Sequence, residues 1–440
     1  MPSPGGAALQ DERRTRAGRW KMLLLALVCA VPVIASYLSY YVLRPVRDAM
    51  GASADVYAVF PPALVDWAQR SGVDLGGLTL QLLFTATFIC MVVLQPVYGA
   101  LVSRYPRRVF LPAVYGFFIA TLFGFYLLFD SGVPGRGMAF FLWITVFNLF
   151  AVAVFWSFMA DVYDNAEARR YYGYIGAAGT VGAILGPVLT RTFVERIGIA
   201  NLMLVSAGFL ALCIVCLLRL RRHAVKREAE RKLASGEVPM GGQVLAGLKL
   251  IAREPLLRWM AVLTVFGVGV GTLLYNEQAA IVRQFYPDAE QATAYYANID
   301  LAVNTLTILV QVFLTRWLLR RHGVAPLLLL PAIAILIGFS LLTLSPLPIL
   351  VAIVQVVTRA GEFSLAKPAR ETLYTRVDRE SRYKAKAVID TVVYRGGDLT
   401  FVWVHKLLSA FGSSVVFGAG LLIALGMTFS AWRVLREEAK

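Results

Sequence analysis

Arg44 and Arg47 stand three residues apart, with Asp48 immediately after them, behind an apolar run from Met22 to Val42. On a helix this spacing puts both guanidinium groups on one face. Each is a planar fork of N–H donors that fits the oxygens of a phosphate or a carboxylate. Ionisable groups at membrane depth are costly, which makes them functional candidates by default. The same residues also suit a role as snorkelling anchors at a membrane surface, with Asp48 as counter-ion. The local sequence leaves both roles open.

A second charged set lies later in the chain. Glu362 follows Arg359 by three residues and Asp398 follows Arg395 by three, so each cation has an acidic neighbour on its own helical face. With a rise of about 1.5 Å per residue, both arginines fall near the middle of their apolar stretches. In one reading they bind phosphate oxygens through paired hydrogen bonds. In the other, Arg359–Glu362 and Arg395–Asp398 are structural ion pairs that offset each other's burial. A pair that opens on substrate binding would satisfy both. Asp300 and Asn304 share a face, as do Lys386 and Asp390. Tyr37, Tyr40 and Tyr41 either stack on a base or belong to an interfacial aromatic belt, and Trp156 and Phe158 carry the same two readings.

The elements that must position these residues are membrane helices. Hydrophobic residues make up 58% of the 440 and charged residues only 16%, with a mean hydropathy of +0.66. A soluble domain carries about 25% charged residues. At about 20 apolar residues per span, the sequence predicts about twelve spans. The runs are 21–43, 78–102, 109–129, 137–160, 173–192, 199–219, 257–281, 294–318, 324–344, 347–366, 384–410 and 412–433. The net charge of +16 sits in short clusters between runs, including Arg104 to Arg108, Arg219 to Lys232, and Lys367 to Lys386. Alternate connections such as Asp130–Gly137 carry almost no basic excess. This is the pattern of the positive-inside rule, not of nucleic-acid binding. It predicts cytoplasmic termini, with tails 1–20 and 434–440. The first run exceeds the roughly 7–15 residues of a signal-peptide core.

Residues 220–256 divide the chain. They are charged, contain Gly236, Pro239, Gly241 and Gly242, and suit a short amphipathic helix in a central cytoplasmic loop. Six spans on each side, 21–219 and 257–433, suggest a duplicated transporter. Gln95 to Arg104 aligns with Gln311 to Arg320, and nearly the same offset sets Asp164 against Asp378 and Gly182 against Gly396. Two motifs then resemble the major facilitator superfamily. Gly99-Ala-Leu-Val-Ser103-Arg104-Tyr-Pro-Arg107-Arg108 is similar to its G-x3-D-R-x-x-R-R loop between spans two and three, with Ser103 at the acidic position. The resemblance implies a gate at Arg104 and Arg108. Gly173, Gly182, Gly186 and Pro187 follow G-x8-G-x3-G-P, a pattern associated with antiporters there. Small residues also let helices approach closely, and we favour that packing role.

A closer resemblance covers both halves. Tyr40-Tyr41-Val-Leu43-Arg44-Pro-Val-Arg47-Asp48 resembles the first-span signature of the ATP:ADP antiporter family, the NTP/NDP exchange transporters of plastids and obligate intracellular bacteria. Lys384-Ala-Lys386-Ala-Val-Ile389-Asp390 is similar to that family's K-x-K-x-x-I-D entry to span eleven, and runs on into Tyr394-Arg395-Gly396-Gly397. Asn276-Glu277 matches an acidic position late in span seven. The resemblance implies nucleotide contact by Arg44, Arg47, Tyr41, Glu277, Lys386 and Arg395, beside Arg359. Asp48, Glu362, Asp390 and Asp398 are the expected gating or ion-pair partners. One departure is span four, where the family has an acidic residue and Met138 to Ala160 has none.

Cys213-x-x-Cys216 lies in an apolar run without a second pair, and a zinc site needs about four ligands. His223, His322 and His405 are scattered. No G-x4-G-K-[ST] phosphate loop occurs, so nucleotide would bind as cargo and not as fuel. The expected protein is therefore all-α, of major facilitator type, with no metal, cofactor or catalytic residue. It is an integral protein of a bacterial inner membrane, monomeric, moving small anions and binding no nucleic acid. Nucleotide exchange is the first reading of function. Proton-coupled transport of another organic anion or drug, using Asp300, Glu277 or Asp390, is the alternative, and a receptor without flux is the third.

Overall fold

The computed structural model describes residues 4–104, 107–162, 165–232, 244–374, 376–377, 385–386 and 388–438. No strand occurs among them. The first part contains α1 (Pro4–Ala52), the short α2 (Val56–Val59) and α3 (Pro62–Arg70), α4 (Thr79–Arg104), α5 (Arg107–Asp130), α6 (Arg136–Val162) and α7 (Asn165–Lys232). Then come α8 (Val244–Arg253), α9 (Pro255–Phe285), α10 (Ala289–Val310), α11 (Arg316–His322) and α12 (Ala325–Leu344). The last are α13 (Pro348–Gly361), α14 (Lys367–Tyr374), α15 (Tyr394–Ser409) and α16 (Ser413–Glu438).

Helix lies over each expected run wherever that run is described. Nine segments among the described residues are long and apolar enough to cross a membrane. One of them, Tyr174–Arg219, has 46 residues. It is interrupted at Gly198, whose φ of 78° and ψ of 166° need a residue without a Cβ. This glycine separates the runs read as spans five and six. The first helix differs from expectation at both ends: it begins within the presumed tail and continues past Leu43 to Ala52. Asp48 therefore lies inside a helix and is buried, not at a solvated boundary. The short helix expected in the central loop is α8, with Arg253 in its last turn.

Two compact units are present. The first comprises residues up to Arg44, Pro96–Ser131 and Ile144–Glu237. In it α1 lies directly against α7. A Cβ on Gly182 would sit 2.6 Å from the Ile34 carbonyl oxygen, and one on Gly186 would sit 2.6 Å from Tyr41 Cβ. Hydroxyls reinforce the approach: Thr190 donates to the Val42 carbonyl at 2.8 Å, and Ser39 Oγ and Ser206 Oγ are 2.6 Å apart. Gly182 and Gly186, two of the antiporter-like glycines, thus act here through helix contact, as small residues do between membrane helices. Gly186→Ala is expected to destabilise the protein by about 1–3 kcal/mol through overpacking. Gly176→Ala, where a Cβ meets nothing within 4 Å, is the control and should be neutral or slightly stabilising. Thermal unfolding in detergent compares them. Gly396, the repeat partner of Gly182, also has open space around it, so the alignment does not carry a shared packing role. Asp164 and Asp378 lie outside the described residues.

The second unit comprises Pro45–Gln95, Gly132–Trp143 and Val238–Lys440. Its main core includes Leu274, Phe339, Phe417 and Ala424, from α9, α12 and α16. A smaller cluster joins Ala49, Ala52 and Leu80 to Val282, Tyr296 and Val402, so the end of α1 and the start of α4 pack on α9, α10 and α15. Large apolar side chains such as Ile337 and Leu407 are left exposed. Hydrocarbon is the solvent that tolerates such a surface.

Candidate functional site

In the second unit, charged and polar side chains concentrate in two layers. The first lies where residues 45–95 meet α9 and α15. Arg47 donates to Asp48 from Nε at 2.9 Å and from a terminal nitrogen at 2.5 Å, with its guanidinium 5.4 Å from the Phe141 ring centre. Asp48 also accepts from the Tyr275 hydroxyl at 3.0 Å. Arg283, on α9, donates to the carbonyls of Ala52 at 3.3 Å and Gly76 at 2.5 Å. Gln81 donates to the Val402 carbonyl at 3.2 Å, and Trp403 donates to Thr85 at 3.2 Å. Glu277 and His405 are buried in the same layer, with Oε1 and Nε2 2.8 Å apart.

The second layer is built around three π-helical turns, Gln311–Thr315, Glu362–Ala366 and Ile389–Val393. Such turns are rare and often mark functional sites. They free main-chain carbonyls, and two of these are taken up between helices. Gln311 donates to Phe363 O at 3.1 Å and Thr315 donates to Ser364 O at 2.8 Å. Glu362 begins its turn and is paired with Arg370. Lys386 donates to both oxygens of Glu371 at 2.6 Å. Asp390, exposed on the third turn, lies within electrostatic reach of Lys386, Arg370, Glu371 and Lys367. Arg395 pairs with Asp398 at 3.4 Å, and Asp398 also accepts from Thr272 at 3.2 Å.

The expected Arg359–Glu362 pair is replaced by two others. Arg359 donates to Asp300 at 2.9 Å, across to the neighbouring α10, and Glu362 turns to Arg370. The helix is still regular up to Glu362, whose N–H bonds to the Thr358 carbonyl, so the pair is lost because each side chain takes another partner, Asp300 on α10 and Arg370 beyond the π turn. Arg395–Asp398 does form as the spacing predicts. Lys386 takes Glu371 as its hydrogen-bond partner, and its relation to Asp390 is electrostatic. In the first unit Arg44 lies over Tyr41, 5.8 Å from its ring centre, and Tyr41 stacks against Tyr37 at 6.4 Å. The backbone puts Arg104 at the end of α4 and Arg108 near the start of α5. Their side chains lie outside those described, as do those of Trp156 and Phe158.

Arg283, Arg370, Glu371 and His405 are the residues that sequence reasoning missed. Arg370 and Glu371 stand in a charged cluster that reads as topology. His405 gains meaning only from Glu277, 128 residues away. Among the described residues no group of His, Cys, Asp and Glu suits a metal ion.

Long apolar helices with partly buried ion pairs between them are those of a membrane protein. Comparison with known proteins gives the family. The model of the Major Facilitator Superfamily matches residues 33–397, and the chain belongs to that superfamily. Solved structures agree on the fold: a D-xylose-proton symporter has a TM-score of 0.61 at 14% identity, covering 92% of this chain and 97% of that one. A POT family transporter has a TM-score of 0.61 at 11% identity, covering 94% and 97%. Among curated proteins, ADP,ATP carrier protein 1 of Chlamydia trachomatis is 21% identical over 320 residues, 63% of this chain and 60% of the carrier. The plastidic ATP/ADP-transporter of Solanum tuberosum is 22% identical over 310 residues, 62% of this chain and 48% of the transporter. The matched region thus spans about half to three-fifths of these relatives' length.

Proposed function

We propose that this chain is a secondary transporter that exchanges one nucleotide-like anion for another by alternating access. The observation that carries the reading is the row of cations Arg370, Lys386 and Arg395, each held by a carboxylate on the same two span regions. Two of the three, Lys386 and Arg395, lie in the stretch Lys384 to Gly397 that resembles the nucleotide exchangers. A phosphate is a stronger multidentate partner for these cations than a single carboxylate, so arriving cargo displaces the internal partner. When no cargo is bound the carboxylates keep the site neutral. In this reading the chain has twelve spans in two six-helix halves, both termini in the cytoplasm, and works as a monomer in a bacterial inner membrane.

The test is uptake of labelled ATP into proteoliposomes preloaded with ADP, compared with empty ones. Exchange requires internal nucleotide; equal uptake into both, or none into either, rejects it. Lys386→Gln is expected to lower nucleotide affinity tenfold or more, since a hydrogen bond to a charged group contributes about 1.5–3 kcal/mol. Glu371→Gln, which frees the ammonium group from its partner, should retain uptake. Normal affinity in a folded Lys386→Gln protein would leave Lys386 a topological role only.

A further inference from the structure

The geometry points to a site for an anionic phospholipid where the start of α9 meets the end of α16. Arg433 and Arg436 take the lipid phosphate there, and Phe429 and Trp432 lie against its acyl chains. The site is within the second unit and does not depend on the cargo. On α16, Leu422, Leu425, Phe429 and Trp432 are spaced by three or four residues, so they form one stripe. All four are exposed, in a segment long and apolar enough to span a membrane. Hydrocarbon covers such a stripe. Arg436 follows Trp432 by four residues and is exposed as well. The lipid-facing surface therefore runs directly into a cation on the same face of the helix.

Aromatic rings gather two guanidinium groups at this end. Arg436 lies 5.2 Å from the Trp432 ring centre and Arg433 4.8 Å from that of Trp259, on α9. Phe429 joins the two rings, 5.8 Å from Trp259 and 5.7 Å from Trp432. A guanidinium held over a ring by cation–π attraction keeps its in-plane fork of N–H donors, which matches a phosphate. The nearby carboxylates compete poorly: Glu437 stands 3.8 Å from Arg433, and Glu438 is taken by Arg376 at 2.8 Å. Among the described residues, the buried Nε of Arg433 has no hydrogen-bond partner. Exposed Arg258, beside Trp259, and exposed Lys249 and Arg253 on α8 add positive charge, against Glu254. With Leu248 exposed and Ile251 buried, α8 also suits a place along the membrane surface. The C-terminus of a helix favours two arginines on its own account. It does not call for an exposed aromatic stripe beneath them. A lipid with an anionic headgroup meets both features, with its phosphate at the cations and its chains along the stripe. A free phosphate would leave the stripe unused.

Tryptophan fluorescence in phosphatidylcholine bilayers, with brominated phosphatidylglycerol added as quencher, tests the site. Trp20, Trp67, Trp143, Trp156, Trp317 and Trp403 are replaced by Phe, which leaves Trp259 and Trp432 as reporters. Quenching should saturate at a low fraction of brominated phosphatidylglycerol. That lipid should be preferred over brominated phosphatidylcholine by about fivefold for each arginine, on the basis of about 1 kcal/mol per basic residue near the surface. Arg433→Gln with Arg436→Gln should bring the preference close to one. Lys at both positions should keep part of it, as charge without the planar fork. Equal quenching by the two lipids, or a preference that survives the double Gln variant, overturns the proposal. Quenching that rises in proportion to phosphatidylglycerol without saturating rejects a site in favour of diffuse attraction. Inorganic phosphate should not relieve the quenching; relief would mean that the arginines take the anion and not the lipid. If the reporter chain does not fold, native mass spectrometry of the full chain decides. The native protein should carry phosphatidylglycerol out of mixed nanodiscs and the double Gln variant should lose it, whereas equal retention overturns the proposal.

Discussion

Asp300→Asn alone is expected to lower stability by about 3–5 kcal/mol, the cost of leaving a buried charge without its partner. Asp300 is 1% exposed at its side chain and Arg359 16%, with 2.9 Å between their nitrogen and oxygen. The carboxylate is thus almost entirely out of solvent, and the guanidinium largely so. Removing both charges, as Asp300→Asn with Arg359→Gln, should recover most of the loss, because no uncompensated ion then remains. Unfolding midpoints in one detergent, converted through a double-mutant cycle, measure the coupling. Single variants that lose no stability would show that water reaches Arg359 and that the pair is not structural. If the double variant folds and still exchanges nucleotide, Arg359 makes no contact with cargo. That outcome separates the two roles left open by its place in the middle of an apolar run.

The helices were legible because the bilayer imposes a strong rule. About 20 apolar residues are needed per span, and few sequences satisfy that by accident. Gly198 was not legible as the joint between spans five and six, since hydropathy records the gap but not which residue takes the positive φ. The length of α1 was also missed. Arg44, Arg47 and Asp48 read as the end of a span, yet apolar packing by Val46, Ala49 and Met50 carries the helix on to Ala52. Charge in a helix marks a boundary only when nothing inside the protein can neutralise it.

Charged residues were legible as candidates, whereas their partners mostly were not. Arg395–Asp398 lies on one regular helix, so three-residue spacing found it. Arg359–Asp300 joins residues 59 apart, and Glu277–His405 residues 128 apart. No local periodicity encodes such distances. The π turns add a second obstacle, because each shifts the faces of the helix beyond it by one residue. Glu362 and Asp390 both lie in such turns, and each meets charges that α-helical spacing does not bring to it. The family resemblance points to Lys386 and Arg395 as candidates without needing that geometry. It did not find Arg370 or Glu371, which stand outside its motif.

Arg395→Gln should behave in the opposite way to the Arg359 variants, with a large loss of exchange and little loss of stability. Its side chain is 38% exposed, and its nitrogen stands 3.4 Å from Asp398, a loose contact. With so exposed a guanidinium the pair contributes about 0–1 kcal/mol, although Asp398 itself is only 15% exposed. The guanidinium therefore gives up little by exchanging Asp398 for a phosphate, and gains a paired donor geometry that Lys cannot supply. Arg395→Gln is expected to weaken nucleotide binding tenfold or more, on the basis of about 1.5–3 kcal/mol per charged hydrogen bond. Arg395→Lys should rescue only part of it. Asp398→Asn retains Arg395 and removes its internal competitor, so it should bind at least as well as the native chain. Binding and exchange are measured together in proteoliposomes, with unfolding midpoints as control. A variant lacking both charges that is stable and still exchanges nucleotide would remove Arg395 from the cargo path. The cation row would then reduce to Arg370 and Lys386, and the exchange reading would have to stand on them.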